Sequence, residues 1–186
     1  MIGKVVGIFI ASEAGEPMRA VKKVMAIRGL GLEGDRYAGE RGVFSKSGRK
    51  VVRHVSLIEQ EAIDRVKQEH GIEFPAKVTR RNIVTKGISL NSLVGVEFFI
   101  WGVKMRGVEL GDPCKRPSKL WEKEETETKP NFKELFDGFG GLRAKVLTSG
   151  LIYLGADIST TIYKCLLCGT TTSHPHVCPE FYPELR

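Results

Sequence analysis

Apolar positions fall in short runs separated by glycine, proline and charge, and most runs have the length of strands. Val5-Val6-Gly7-Ile8-Phe9-Ile10-Ala11 is the first, and it predicts an opening β-strand. The acidic Ser12-Glu13-Ala14-Gly15-Glu16 follows without a convincing cleavage site, so this start reads as a strand and not as a signal peptide. Val21 to Ile27 predicts a second strand. Arg80-Arg81-Asn82 leads into a further one, and Val96 to Ile100 and Val103 to Leu110 flank Trp101-Gly102. In the last of these, Lys104 and Arg106 alternate with Val103 and Met105, the period of a strand with one wet face. Ala144 to Thr148 and Leu151 to Leu154 are strands around Ser149-Gly150, and Gly155 to Ile158 closes the body. Only two stretches show helical spacing. Ile58, Ala62, Ile63 and Val66 form one stripe, with Ser56 and Glu59 predicted as a capping box and His70-Gly71 as the end. Phe132 to Asp137 is a short second helix capped by Asn131, with Phe132, Leu135, Phe136 and Phe139 on its apolar side. The pattern predicts a mainly β (α+β) domain whose longer helix covers one side or end of a barrel.

At 186 residues the chain supports one good core and a small appendage. Hydrophobic residues make up 41% and charged residues 27%, ordinary values for a globular protein, and no apolar run approaches membrane-spanning length. Membrane partners are therefore not expected, and reduced cysteines in the cytoplasm are. The formal net charge of +7 suits an anionic ligand, a phosphate-bearing cofactor or nucleic acid, and equally suits plain solubility. Two stretches are dense in charge, Glu40 to Arg53 with five cations and the mixed run Trp121 to Lys129. They read as solvated loops, the first with a phosphate-binding rim as its sharper alternative and the second with a lid.

Candidate chemistry concentrates in Gly111-Asp112-Pro113-Cys114-Lys115-Arg116-Pro117. Two prolines bracket the cysteine and predict a shaped loop. Lys115 and Arg116 follow the thiol, and nearby positive charge favours the thiolate, which is both nucleophile and metal ligand. The competing reading is a buried structural cysteine. Residues 159–186 read as a separate tail. It carries Cys165-Leu166-Leu167-Cys168-Gly169, then His174, His176 and Cys178. Three thiols and an imidazole, Cys165, Cys168, Cys178 and His176, match the donor set of a tetrahedral zinc site. A Cys165–Cys168 disulfide and a disordered tail are the alternatives.

These landmarks, in this order, resemble the MOSC domain, the C-terminal domain of molybdenum-cofactor sulfurases. The matching elements are Gly31-Leu32-Glu33-Gly34-Asp35-Arg36, Val55-Ser56-Leu57-Ile58, Arg81-Asn82-Ile83-Val84, Asp112-Pro113-Cys114, and Gly150 with Gly155-Ala156-Asp157. Ala156 separates a glycine and an aspartate that are often adjacent in the family. The resemblance covers residues 1–158 and implies a closed, Greek-key-like β-barrel with attached helices. It implies that Cys114 is the functional cysteine, carrying sulfur as a persulfide accepted from a cysteine desulfurase, or ligating molybdenum in the molybdenum cofactor. Pyridoxal phosphate belongs to related sulfurases. Arg36, Arg81, Asn82 and Arg143 are the implied holders of an anionic pterin phosphate.

The leading expectation is thus a sulfur carrier or cofactor-binding protein centred on Cys114. A molybdenum-dependent reductase of N-hydroxylated substrates is the alternative, and it needs a separate electron-transfer partner. A nucleic-acid-binding module with a zinc tail is the competitor from another class. It is disfavoured because the basic segments lack interleaved aromatics. A MOSC scaffold that binds a partner through its tail is a third reading.

Overall fold

Strand β1 (Ile2–Ile10) begins and completes a ring. In the computed structural model, which describes residues 2–39, 42, 54–114, 117 and 131–160 and the backbone of 163–164 and 171–172, the chain forms a closed barrel. Its other staves are β5 (Val55–Glu59), β6 (Ile83–Lys86), β7 (Glu97–Ile100), β8 (Val103–Leu110), β9 (Leu142–Val146) and β11 (Asp157–Ser159). The hydrogen-bonded order is β11-β7-β8-β9-β5-β6-β1, and pairing of Ile2 with Ser159 and Lys4 with Asp157 closes it. Every junction is antiparallel except β5–β6. A parallel pair needs a long crossover, and helix α1 (Gln60–His70) lies in that connection.

A smaller sheet joins β10 (Gly150–Tyr153), β3 (Lys23–Ile27) and β4 (Gly31–Leu32), while β2 (Arg19–Ala20) extends β1. Strands β9 and β10 follow one another but do not pair. β10 lies on β3 instead, with Leu151 opposite Met25. Strand β11 includes Ser159, one residue past the expected end of the body, and Ser159 is buried. Beyond it, β12 (Tyr163–Lys164) and β13 (Thr171–Thr172) pair antiparallel.

Alternation sorts the apolar residues into two cores. Leu57, Ile83, Phe98, Met105, Leu142 and Ile158 belong to the barrel's own cluster. Their chain neighbours Ile58 and Val84 belong to a second cluster, with Ala62, Ile63 and Val66 of α1 and Phe132 of α2 (Phe132–Leu135). The expected helical stripe is therefore real, but its first member belongs to a strand. The expected capping box at Ser56 and Glu59 does not form. Ser56 lies inside β5, and Glu59 precedes the helix without a side-chain cap bond. Pairing of Val55 to Glu59 with β6 and β9 outweighs a local cap whose contribution is about 1 kcal/mol. Glu59 instead accepts from the Leu90 amide at 2.5 Å. At α2 the expectation holds: the Asn131 side chain accepts from the Lys133 amide.

Candidate functional site

Beyond the last β8–β9 pair, Leu110 opposite Leu142, the two strands hand over to turns. Gly111 donates its amide to the Gly141 carbonyl at 2.6 Å. Gly140 lies so close that a Cβ there would collide with the Gly111 carbonyl oxygen and with Pro113. Cys114 emerges from this crossing with its side chain exposed. The proline-shaped loop is thus held at its root and open at its thiol. Lys115 and Arg116 lie outside the described residues.

Cys114 lines an open cavity of about 280 Å³ together with Arg36, Tyr37, Ser56, Arg81 and Arg143. These come from distant parts of the chain, and Arg143 sits opposite Ser56 in the β5–β9 register. Asn82 lines it as well, so all the cofactor-binding residues expected from the sequence meet at one place. Their local roles differ. Arg36 is 5% exposed, bonds the Asp35 carboxylate at 3.1 Å, and stacks its guanidinium 4.9 Å from the Tyr37 ring centre. Asn82 has little left to offer a ligand. Its Oδ1 accepts from the Ser56 hydroxyl and amide, and its Nδ2 donates to the Phe9 carbonyl and to Asp35. Arg143 pairs with Glu109 at 2.6 Å. Arg81 donates from Nε to the Gly140 carbonyl and from Nη2 to the Gly111 carbonyl, both at 2.8 Å.

Positive charge dominates the cavity. Desolvation, then repulsion from Arg143, pulls the Arg81 guanidinium down to about 10, so it is still a cation at neutral pH. Attraction to Cys114 acts the other way. Among the described residues no carboxylate pairs with Arg81, whereas Arg36 and Arg143 each have one. Such a cavity attracts an anion and holds it beside a soft sulfur.

Tyr37, Ser56 and Arg80 were not anticipated at the site. Tyr37 adjoins the Asp35-Arg36 motif, and that adjacency was the available signal. Arg80 sits in the left-handed region at φ 59° and donates to the Glu16 carbonyl at 2.6 Å. Among the described residues no His, Cys, Asp or Glu cluster could hold a metal ion. Cys165, Cys168, Cys178 and His176 lie outside them. No helix among the described residues is long and apolar enough to cross a membrane.

The MOSC domain profile matches residues 45–159. Among solved structures, the YuaD protein from Bacillus subtilis superposes with a TM-score of 0.71 at 20% identity, covering 85% of this chain and 94% of its own. YiiM from Escherichia coli gives 0.60 at 16%, covering 100% of this chain and 84% of its own. YiiM from Geobacillus stearothermophilus gives 0.59 at 15%, covering 84% and 73%. At these identities the likeness shows the fold alone. No curated protein matches the chain in sequence. The profile spans more than half of the chain and includes the β5, β6, Cys114 and β11 segments of the closed barrel, so this chain belongs to the MOSC domain family.

Proposed function

We propose that the cavity beside Cys114 binds the molybdenum cofactor, with the Cys114 thiolate as a ligand to molybdenum. The observation that carries this reading is the convergence of an exposed thiol with Arg36, Arg81 and Arg143 on one cavity. A sulfur donor and a cationic wall are the two things a phosphate-bearing metallopterin requires of its protein. Bound there, the cofactor supplies two-electron redox chemistry at the metal. Arg143 and Arg36 hold the phosphate and orient it. Pro113 and the Gly140 contact hold the root of the loop that presents the thiol at the rim. Reduction of N-hydroxylated substrates at this site would draw electrons from a separate protein.

Exposure of Cys114 favours a second reading, sulfur carriage. The thiolate attacks the outer sulfur of a desulfurase persulfide, a sulfur–sulfur bond forms on Cys114, and the desulfurase cysteine leaves as thiolate. The two readings separate by mass. Wild type and Cys114→Ser are incubated with released molybdenum cofactor, and in parallel with a cysteine desulfurase and cysteine, and the intact proteins are weighed. Cofactor mass on wild type alone supports the first reading, and a gain of one sulfur on wild type alone supports the second. Equal loading of the serine variant removes both.

For the tail we propose zinc held by Cys165, Cys168, Cys178 and His176. Antiparallel pairing of Tyr163 with Thr172 and Lys164 with Thr171, which flanks the Cys165–Cys168 segment, supports it. Full-length protein should hold about one zinc. A chain ended after Thr160 should hold none, and equal zinc in both removes the proposal.

A further inference from the structure

The Leu110–Leu142 pair is the last rung of the β8–β9 ladder, and the carbonyls of Gly111 and Gly140 lie just past it. Arg81 reaches both, one through Nη2 and one through Nε. Its side chain adds a rung between two backbone segments that the Gly111 amide to Gly141 carbonyl bond also joins. Cys114 lies three residues beyond one of those carbonyls.

We propose that Arg81 is a positioning residue for Cys114, tying the cysteine loop to the 140–141 turn. The proposal deepens the reading of Cys114 as the working sulfur and rests on it. It differs from the expectation that Arg81 chiefly grips the ligand. Two of its five N–H donors are already committed to backbone. Only a guanidinium makes this tie, because its planar fork bonds two acceptors at once and a lysine is a point charge.

Arg81→Met removes the tie and the charge, and Arg81→Lys removes the two-pronged tie but keeps the charge. Two quantities are read without cofactor: the rate of iodoacetamide alkylation of Cys114 at one fixed pH, followed by peptide mass, and hydrogen exchange of the peptide spanning Gly111. Both variants should exchange about fivefold or more faster at Gly111, whose amide bonds the Gly141 carbonyl, the scale of one lost hydrogen bond, while β1 and β11 stay protected. Cys114 alkylation should differ from wild type in both variants, because the loop that presents the thiol is no longer held. If Arg81→Met fails to fold, Arg81→Lys still decides. Wild-type exchange at Gly111 in Arg81→Lys, a rise spread evenly over the barrel, or wild-type alkylation in Arg81→Lys would overturn the proposal. If Cys114 responds as stated but wild type takes up neither cofactor nor sulfur, the functional reading fails and the positioning role stands.

Discussion

Asn82 Nδ2 donates to Asp35 Oδ2 at 3.0 Å, and this bond ties the loop carrying Arg36 to the start of β6. The same carboxylate bonds Arg36 at 3.1 Å, accepts from the Ala11 amide at 3.3 Å, and through Oδ1 accepts from the Tyr37 amide at 3.1 Å. With Asp35 1% exposed, no solvent replaces it. Asp35→Ala therefore leaves a buried guanidinium without its counter-charge. Stability should fall by about 3–5 kcal/mol. Urea unfolding should show a lower midpoint at an unchanged slope. A midpoint equal to wild type would show that the network adds no net stability.

Gly140→Ala places a methyl against the Gly111 carbonyl and Pro113. The barrel should lose about 1–3 kcal/mol, and the Cys114 loop should be pushed from its seat. Gly138→Ala is the comparison. Gly138 has φ 72° and open space around its would-be Cβ, so only backbone strain of about 1 kcal/mol is expected. Cys114 alkylation should change in the first variant and not in the second. Equal alkylation in both would mean that the loop does not lean on Gly140.

Arg143→Ala removes one of the cations that line the cavity. That loss acts against an anion. Pyrophosphate affinity, measured by titration calorimetry, should drop about tenfold or more, the scale of one charge-assisted bond. Lys67→Ala, on α1 and paired with Glu73 at 3.2 Å, should leave it unchanged. Matching small effects would exclude Arg143 from the binding wall.

His54 accepts from the Val146 amide through Nδ1 at 3.1 Å, which holds the ring in its neutral form. Burial, with Lys145 adding repulsion, keeps its pKa below the usual 6.5. The unfolded chain then takes up a proton near 6.5 that the folded chain refuses. Stability should be full above that value, decline as pH falls through it, and level off once folded His54 is also protonated. Unfolding free energies between pH 8 and 5 should show this slope, flattened in His54→Asn. The same slope in both proteins would assign it to other groups.

Much of this was legible from local pattern. A short apolar run marked β1, alternation marked β8, and the prolines around Cys114 marked a loop. Asn131 marked the start of α2. What failed was local evidence that a distant partner overrode. Ser56 has the sequence of a helix cap, yet β6 and β9 claim it for a strand, and its hydroxyl goes to Asn82. The resemblance suggested Arg81 as an anion binder, and nothing in the sequence marked it as a tie between Gly111 and Gly140, because a carbonyl acceptor leaves no mark on the residue type that carries it. The pairing of β10 with β3 was hidden for a similar reason, since strands more than a hundred residues apart have no spacing to read.

The junction of β1 with β11 sets the order in which the molecule can be assembled. Ile2 meets Ser159, so nearly the whole domain must exist before the ring can shut. Helix α1 and the β7–β8 hairpin can form from neighbouring residues as the chain emerges, but the first strand has to wait for the last. Until then its edge toward β11 stays open to any other strand. Contacts this far apart in sequence slow folding, because the chain loses entropy in closing the loop before the contacts repay it. Folding should therefore end in one late step that closes the barrel, and mutations at Ile2 to Lys4 should change the rate of that step more than those in α1.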